Sequence, residues 1–213
     1  MSRITVIGGT GYAGAHLVAE AARRRHTVTS VSRTVPDEQL DGVTYRAGSI
    51  TDDAVAAAAV DADVVVVTVS PRGTMAGQVA PAAENVARHA QRSGTRFGII
   101  GGAGSLQVAP DGPRLMDTAE FPDVFKAEAE EMTDVLDWLK QQDDALDWFF
   151  ISPAAGFGAY APGEATGTYR TGGDVLLTDE NGQSDLSGAD LATAIVDEIE
   201  QPVHHRQRFT VAY

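Results

Sequence analysis

The chain has 213 residues, 43% of them hydrophobic and 22% charged, which suits one globular domain with a sizeable core and is too short for two. A formal net charge of −14 disfavours nucleic acid and anionic membranes as partners, because both would repel the protein. The absence of cysteine excludes disulfides, thiolate chemistry and cysteine metal sites. No apolar run reaches the length of a membrane span, and a core strand starts at once, which leaves no room for a signal peptide. We therefore expect a cytoplasmic protein.

Lysine is scarce among the basic residues. Lys126 and Lys140 are the only lysines, and the rest of the 16 basic residues are arginines. An acidic surface with few lysines fits a salt-rich cell, because net charge keeps a protein soluble. A GC-rich genome explains the loss of lysine equally well, so both explanations stay open.

The first predicted strand, Ile4–Ile7, runs into a cluster of glycines that is followed by a helical pattern. The cluster supplies seven candidate cofactor-binding residues: Gly8, Gly9, Thr10, Gly11, Tyr12, Ala13 and Gly14. One glycine allows a sharp turn, another removes a side chain where a pyrophosphate approaches the backbone, and the last lets the helix pack closely on the sheet. The amides at the start of the helix then face the phosphates. This position between strand and helix predicts a dinucleotide site.

Apolar runs and helical patterns alternate along the rest of the chain. The predicted strands are Ile4–Ile7, Thr27–Val31, Val43–Arg46, Val64–Val69, Phe97–Ile100, Trp148–Ile151 and Phe209–Ala212. The predicted helices are Ala13–Arg25, Asp53–Ala59, Ala80–Arg92, Ala127–Gln141 and Ala189–Glu200. Unbroken Val/Ile runs are typical of strands buried on both faces of a parallel sheet. The alternation predicts an α/β fold of the Rossmann type, with one domain over 1–213 built on a doubly wound parallel sheet.

The end of the second strand bears on the choice between NADP(H) and NAD(H). Enzymes that prefer NAD(H) carry Asp or Glu there to bind the ribose 2′-hydroxyl. This strand is followed by Ser32 and Arg33, and a guanidinium suits a 2′-phosphate. We predict that the protein prefers NADP(H), with a solvated loop arginine as the alternative interpretation of Arg33.

Two further strands end in candidate cofactor-binding loops. Ser49 and Ile50 follow the third strand and are expected to border the adenine. Ser70 and Arg72 follow the fourth strand and are expected near the ribose and pyrophosphate, with Arg72 as a second candidate phosphate contact. Both segments could equally be ordinary loops between a strand and a helix.

A small irregular segment, 152–188, follows the sixth strand and is rich in Gly, Pro, Thr and Asp. Ligands in open α/β sheets bind beyond the carboxyl ends of the strands, so this segment is placed to cover substrate. Within it, a hairpin from Thr168–Arg170 to Asp174–Leu177 fits the glycines at 172 and 173. Ser187 and Asp190 then resemble a capping box at the start of the last helix.

The chain resembles the atypical short-chain dehydrogenase/reductases of the NAD(P)H-binding, NmrA-like group over nearly its full length. The likeness is carried by the glycine cluster and by the Gly-Gly-Ala-Gly-Ser-Leu run at 101–106, with 152–155 and 167–174 in support. The group's NADH-flavin reductase-like members and biliverdin reductase B are nearer relatives. The resemblance implies that Gly102, Pro153 and Ala154 bind the cofactor, the last two by shaping the nicotinamide pocket.

The chain departs from the wider superfamily in its proton donor. Superfamily enzymes that reduce carbonyls use a serine and a Tyr-x-x-x-Lys pair, in which the tyrosine gives the proton and the lysine lowers its pKa. Ser105 stands where the serine is expected, but Phe125 and Lys126 occupy the helix entry, and no tyrosine precedes a lysine by four residues. Carbonyl reduction by that pair is therefore disfavoured.

Hydride transfer to a flavin, a quinone or a similar planar acceptor suits the residues that remain, because such acceptors delocalise charge and take their proton from water. Ser105 is the candidate catalytic residue, by a hydrogen bond to the carboxamide or the acceptor. Arg114, Phe157 and Tyr169 are candidates for the acceptor side. Ser105, Phe157 and Arg114 could instead have structural roles.

Two other functions are weighed against the reductase. A non-catalytic NADP(H) sensor is the alternative, and it alone would require a protein partner. A sugar-nucleotide epimerase or dehydratase is disfavoured because few residues follow the sixth strand and the proton-moving tyrosine is absent. His204 and His205 read as an exposed turn, so no metal site is predicted.

Overall fold

A computed structural model describes residues 1–213, and one eight-stranded sheet runs through its centre. Its strands are β1 (Arg3–Ile7), β2 (Thr27–Ser32), β3 (Val43–Ala47), β4 (Val64–Val67), β5 (Arg96–Ile100), β6 (Trp148–Pro153), β7 (Arg170–Gly172) and β8 (Gln207–Ala212). Their spatial order is β3-β2-β1-β4-β5-β6-β8-β7, and only the β7–β8 pair is antiparallel. The strand order reverses between β1 and β4. The predicted doubly wound sheet of the Rossmann type is therefore confirmed.

Helices cover both faces of the sheet. They are α1 (Tyr12–Arg23), α2 (Asp53–Ala59), α3 (Val79–Ser93), α4 (Lys126–Lys140) and α5 (Gly188–Glu200). Successive side chains of a strand point to opposite faces, so Ile4 and Val6 join the core with α1 and α5, while Ile7 joins the core with α2, α3 and α4. None of the five helices combines the length and the apolar character needed to cross a membrane.

The hairpin predicted in the C-terminal segment is wrong. β7 pairs with β8 instead of with the residues that follow it. The stretch Asp174–Leu177 lies along Gln107, whose amide donates to the Asp174 carbonyl and whose carbonyl accepts from the Leu176 amide, both at 2.8 Å. The backbone hydrogen bonds of β7 are made with β8, and those of Asp174–Leu177 are made with Gln107. The two stretches therefore do not pair with each other.

A buried carboxylate at the start of α5 fixes the C-terminal segment. Asp190 accepts from the amides of Thr166 and Gly167 at 2.8 and 3.0 Å and from the hydroxyl of Tyr213. Ser187 caps α5 by accepting from the Asp190 amide at 3.1 Å, as the capping pattern predicts. Burial raises the pKa of Asp190, but these hydrogen bonds outweigh burial and lower the pKa overall.

A second buried carboxylate, Glu198, joins α5 to the first residue of β5. Arg96 donates to Glu198 Oε1 at 2.6 Å, and His204 Nδ1 lies 2.6 Å from its Oε2. The Glu198 side chain is 3% exposed. Burial raises the pKa of Glu198, but the hydrogen bonds from Arg96 and His204 outweigh that effect and hold the pKa below its usual value.

Glu198→Gln is expected to lower the free energy of unfolding at pH 7 by about 3–5 kcal/mol, because it leaves the buried Arg96 guanidinium without this counter-charge. The folded carboxyl has a lower pKa than the unfolded one, so its contribution is present above the unfolded value of 4.5 and is lost as the pH falls through the folded value. Urea unfolding at several pH values measures both effects. The variant should show less loss of stability than wild type on acidification, and the exposed Glu180→Gln should behave as wild type. Equal stability of Glu198→Gln and wild type at pH 7 would contradict this account.

Candidate functional site

A cavity of about 690 Å³ opens beyond the carboxyl ends of the parallel strands. Its wall is formed by the loops that follow β1, β2, β3, β4, β5 and β6, together with the first turns of α1 and α4. The cavity therefore spans the point between β1 and β4 where the strand order reverses. Ligands of doubly wound sheets bind at this point, which makes the cavity the candidate site.

The turn off β1 requires glycine. Gly8 has a φ of +93°, and its amide donates to the Val31 carbonyl at 2.7 Å, which ties the turn to β2. A Cβ at Gly9 would lie 2.2 Å from Ser30 Oγ on the same strand. Gly8 lines the cavity, whereas Gly9 lies behind the wall and packs on β2.

Gly14 allows α1 to begin unusually close to the end of β1. A Cβ on this residue would lie 2.2 Å from the Gly8 carbonyl oxygen and 2.6 Å from Thr68 Oγ1. Real Cβ atoms do not approach other atoms this closely, and the Gly8 oxygen is backbone that cannot move aside cheaply. Gly14 does not itself line the cavity, but it sets where the first turn of α1 lies.

The first turn of α1 presents backbone amides that have no hydrogen-bond acceptor in the protein. Gly11 is the N-cap residue and lines the cavity with Thr10, Tyr12 and Ala13. Gly11 makes no side-chain cap, the first turn holds no acidic residue, and the amides of Tyr12, Ala13 and Gly14 donate to no protein group. A helix N-terminus carries about half a positive charge. This arrangement fits the pyrophosphate of a dinucleotide.

The end of β2 carries a serine and an arginine into the same wall. Ser32 Oγ accepts from the Thr10 amide at 3.1 Å, which links the glycine cluster to β2. Arg33 is exposed, lines the cavity, and donates from Nη1 to Thr74 Oγ1 at 2.9 Å. No carboxylate lies in the wall at the end of β2, because Glu128 of α4 is the single carboxylate among the lining residues.

The loops after β3 and β4 complete this half of the cavity. Ser49 and Ile50 line it, and Ser49 Oγ lies 2.8 Å from Thr51 Oγ1. Ser70 and Arg72 line it after β4.

Arg72 is held by two partners on the α4 side of the cavity. Its Nε donates to Glu128 in a short ion pair, and its guanidinium carbon lies 5.4 Å from the centre of the Phe125 ring. Arg72 therefore reaches the cavity with its charge already partly matched.

A carboxylate of α4 fixes the loop that carries Arg72. Glu131 Oε1 accepts from the amides of Val79 and Ala80 at 2.8 and 3.0 Å, and its Oε2 accepts from the Gly77 amide at 2.6 Å. α3 begins at Val79 and its own N-cap residue makes no side-chain cap, so Glu131 supplies that cap from another helix. The sequence offers no local signal for this contact, since 52 residues separate Glu131 from Val79.

The predicted nicotinamide end is formed by the loop after β5 and the end of β6. Gly102, Pro153 and Ala154 line the cavity there, as does Ser105. Ser105 Oγ accepts from Arg208 Nη1 at 2.8 Å. Its hydroxyl is thus linked to the C-terminal strand β8, a contact that sequence spacing does not reveal.

Four aromatic side chains besides Tyr12 contribute to the cavity wall. They are Phe121, Phe125, Phe157 and Tyr160. The rings of Phe125 and Tyr160 are stacked, with centroids 6.3 Å apart and planes 22° apart, and Phe157 lies 5.5 Å from Tyr12. Of these four residues, only Phe157 is predicted from the sequence to contact the acceptor. Phe125 carried a usable signal, because it occupies the helix entry where the superfamily places its tyrosine, whereas Phe121 and Tyr160 lie in irregular segments.

Two residues predicted for the acceptor side, Arg114 and Tyr169, do not line the cavity. Arg114 donates from Nε to Asp117 at 2.7 Å and is held within its own loop. Tyr169 packs against the core of α1 and α5 and donates to Asp197 at 2.5 Å. Burial and the bond to this carboxylate raise the pKa of Tyr169. Both side chains are engaged by carboxylates that the sequence pattern does not pair with them.

Comparisons with known proteins agree with this geometry. The sequence model of the NAD(P)H-binding family matches residues 8–202. A Burkholderia pseudomallei protein, provisionally named an exported protein, is 42% identical with a TM-score of 0.88 over 100% of both chains. A provisionally named epimerase from Bacteroides thetaiotaomicron is 31% identical, with a TM-score of 0.89 over 99% of this chain and 96% of its own. A provisionally named NADH-flavin reductase from Streptococcus pneumoniae is 31% identical, with a TM-score of 0.84 over 100% and 99%. These names indicate different activities, so the similarity establishes the family and does not identify the substrate.

Gly14→Ala is expected to abolish NADPH binding and to destabilise the protein, because the added methyl group would drive α1 away from the Gly8 carbonyl. Calorimetric titration with NADPH measures the first effect and thermal unfolding the second. Gly173→Ala is the matched control, since a Cβ there meets nothing within 4 Å and the residue lies outside the cavity. NADPH binding to Gly14→Ala with wild-type affinity would exclude the first turn of α1 as the phosphate site.

Proposed function

Because the chain belongs to the NAD(P)H-binding family, we propose that it is an NADPH-dependent reductase that passes hydride to a flavin, a quinone or a similar planar acceptor. The predicted resemblance to this group is confirmed at the level of the family. The acceptor class and the preference for NADP(H) are the parts that this proposal adds.

One observation carries the proposal: a single cavity is lined both by the donor-rich start of α1 and by a group of aromatic rings. Gly11, Tyr12 and Ala13 line it together with Phe125 and Tyr160. A continuous space of this kind can hold a dinucleotide along the sheet and a flat ring against its nicotinamide. The exposed ring of Tyr160 and the ring of Phe125 offer stacking surface to such an acceptor.

The chain's own residues would orient the reactants. A reduced nicotinamide supplies hydride when it is bound. Pro153 and Ala154, at the end of β6, would support one face of that ring and leave the other face toward the acceptor. The aromatic rings would exclude water from the apolar part of the acceptor, which strengthens electrostatic interactions inside the site. No side chain has to deliver a proton, because a planar acceptor spreads its new charge and is protonated by water.

Arg33 supports NADP(H) as the cofactor. It lies in the wall at the end of β2, where a carboxylate for the ribose 2′-hydroxyl is absent. Its guanidinium is tied to the protein by one hydrogen bond, to Thr74, and the other donors remain for a 2′-phosphate.

A non-catalytic NADP(H) sensor is the second candidate, and one observation favours it. Each ionisable side chain in the wall is already engaged by the protein: Tyr12, Arg33, Arg72, Glu128 and Tyr160. Such a wall binds a dinucleotide without offering a ready general acid. The same observation disfavours an epimerase, which must move protons on its substrate. Under either candidate the ligand is a small molecule, the cytoplasm stays the predicted location, and a protein partner belongs to the sensor alone.

Purified protein with NADPH and FMN, riboflavin or a quinone is expected to lose absorbance at 340 nm at a rate well above the spontaneous reaction. Gly14→Ala protein supplies the blank, since it should lack the cofactor site. Tight NADPH binding with no turnover across this acceptor panel would refute the reductase and support the sensor.

Arg33→Ala is expected to weaken NADPH binding about tenfold or more, because a charged hydrogen bond to the 2′-phosphate is lost, while NADH binding changes little. Calorimetry with each cofactor measures the two affinities. Arg92→Ala, which removes an exposed arginine of α3 outside the cavity, is the matched control for the change in net charge. A parallel loss for NADPH and NADH would remove Arg33 from the 2′-phosphate site.

A further inference from the structure

Ser105 differs from the other hydroxyls of the cavity wall because it accepts a hydrogen bond from an arginine. Arg208 Nη1 donates to Ser105 Oγ at 2.8 Å. The Arg208 side chain is 5% exposed, and its Nε donates to Asp174 Oδ1 at 2.7 Å. Arg208 lies on β8 and Asp174 follows β7, so two distant parts of the chain meet behind Ser105.

This contact determines what the Ser105 hydroxyl can still do. A guanidinium donates hydrogen bonds and never accepts them. The bond from Arg208 therefore uses a lone pair of Ser105 Oγ and does not use the hydroxyl hydrogen. Oγ makes no other hydrogen bond in the protein. Ser105 is partly exposed and lines the cavity beside Gly102 and Pro153. Its hydrogen is therefore available to a group inside the cavity.

We propose that Arg208 is a positioning residue that makes Ser105 an oriented hydrogen-bond donor to the acceptor, and that Asp174 holds Arg208 in place. The proposal rests on the reductase function proposed above. Hydride, with its two electrons, leaves the nicotinamide, which gains a positive charge, and bonds to the acceptor, which gains a negative charge that water then protonates. Ser105 keeps its proton and stabilises the new charge through a hydrogen bond.

The charge of Arg208 strengthens this donor. A cation bonded to Oγ draws electron density from the hydroxyl, so the hydrogen bond that Ser105 donates becomes stronger. This arrangement does not involve the helix entry where the superfamily carries its Tyr-x-x-x-Lys pair. The lysine at that entry, Lys126, pairs with Asp123 at 2.8 Å and does not line the cavity. The positive charge that assists the serine comes instead from β8.

The test compares Ser105→Ala, Arg208→Met, Arg208→Lys and the double variant Ser105→Ala/Arg208→Met with wild type. The first readout is kcat for NADPH-dependent FMN reduction. The second is the dissociation constant of FMN, measured anaerobically for its oxidised form and for its reduced, anionic form. Arg170→Met is the matched control, because Arg170 is an exposed arginine of β7 that bonds to Tyr213 and Thr178 carbonyls and not to Ser105.

Ser105→Ala is expected to lower kcat about 10- to 100-fold and to weaken binding of reduced FMN about tenfold, while binding of oxidised FMN stays within about twofold. Arg208→Met should reproduce this pattern, and Arg208→Lys should restore part of the loss. Adding Arg208→Met to Ser105→Ala should cause no further loss, because Arg208 acts through Ser105. If Arg208→Met does not fold, Ser105→Ala alone decides the role of the hydroxyl, and Arg208→Lys decides that of the arginine.

The two proposals fail in different ways. Wild type without turnover on any acceptor refutes the reductase. In that case the dissociation constants of FMN still test the role of the Ser105 hydroxyl. Equal affinities of wild type and Ser105→Ala for reduced FMN would overturn that role. Wild-type turnover with an unchanged kcat in Ser105→Ala overturns this inference alone. Further loss on adding Arg208→Met to Ser105→Ala shows that Arg208 is structural, and wild type that binds neither form of FMN refutes the flavin acceptor and Ser105's role toward it.

Discussion

The candidate site depends on the close approach of α1 to the end of β1. A Cβ on residue 14 would lie 2.2 Å from the Gly8 carbonyl oxygen, so the helix begins against the strand with no side chain between them. This contact fixes Tyr12, whose hydroxyl donates to the Pro162 carbonyl at 3.0 Å and accepts from the Gly188 amide at 3.1 Å. The start of α1 therefore links the cavity wall to the C-terminal segment and to the start of α5. A loss of packing at Gly14 would displace Tyr12 and disturb its contacts with Pro162 and Gly188.

The electrostatics of the site are local and oppose the charge of the whole chain. A net charge of −14 would repel an anionic dinucleotide from an average point of the surface. Several acidic side chains lie outside the cavity wall and are bound within the fold: Glu131 accepts from amides at the start of α3, Asp190 accepts from amides of the C-terminal segment, and Glu198 pairs with Arg96. The wall keeps one carboxylate, Glu128, and Arg72 neutralises it. The positive groups that remain in the wall are the amides at the start of α1 and Arg33.

The sequence predicts the parts of this protein that local physics determines. Buried parallel strands require unbroken apolar runs, so β1, β4 and β5 could be located within a few residues. Features set by distant partners could not be predicted. The stretch from Asp174 pairs with Gln107, the cap of α3 comes from Glu131, and Arg208 reaches Ser105 across 103 residues. Tyr169 shows the same limit, because a glycine-rich neighbourhood does not reveal that its partner is on α5.

Phe125 stands at the helix entry where the resemblance to the superfamily predicts a tyrosine, and it bears on both the chemistry and the shape of the site. A phenylalanine there cannot donate a proton, and its ring stacks on Tyr160 and contacts the Arg72 guanidinium. The phenyl ring contributes flat apolar surface at this point of the wall. Loss of the proton donor and gain of a stacking surface therefore arise from one residue. Under the reductase function proposed above, an acceptor that binds by its face and spreads its charge would use both consequences, whereas a simple carbonyl substrate would use neither.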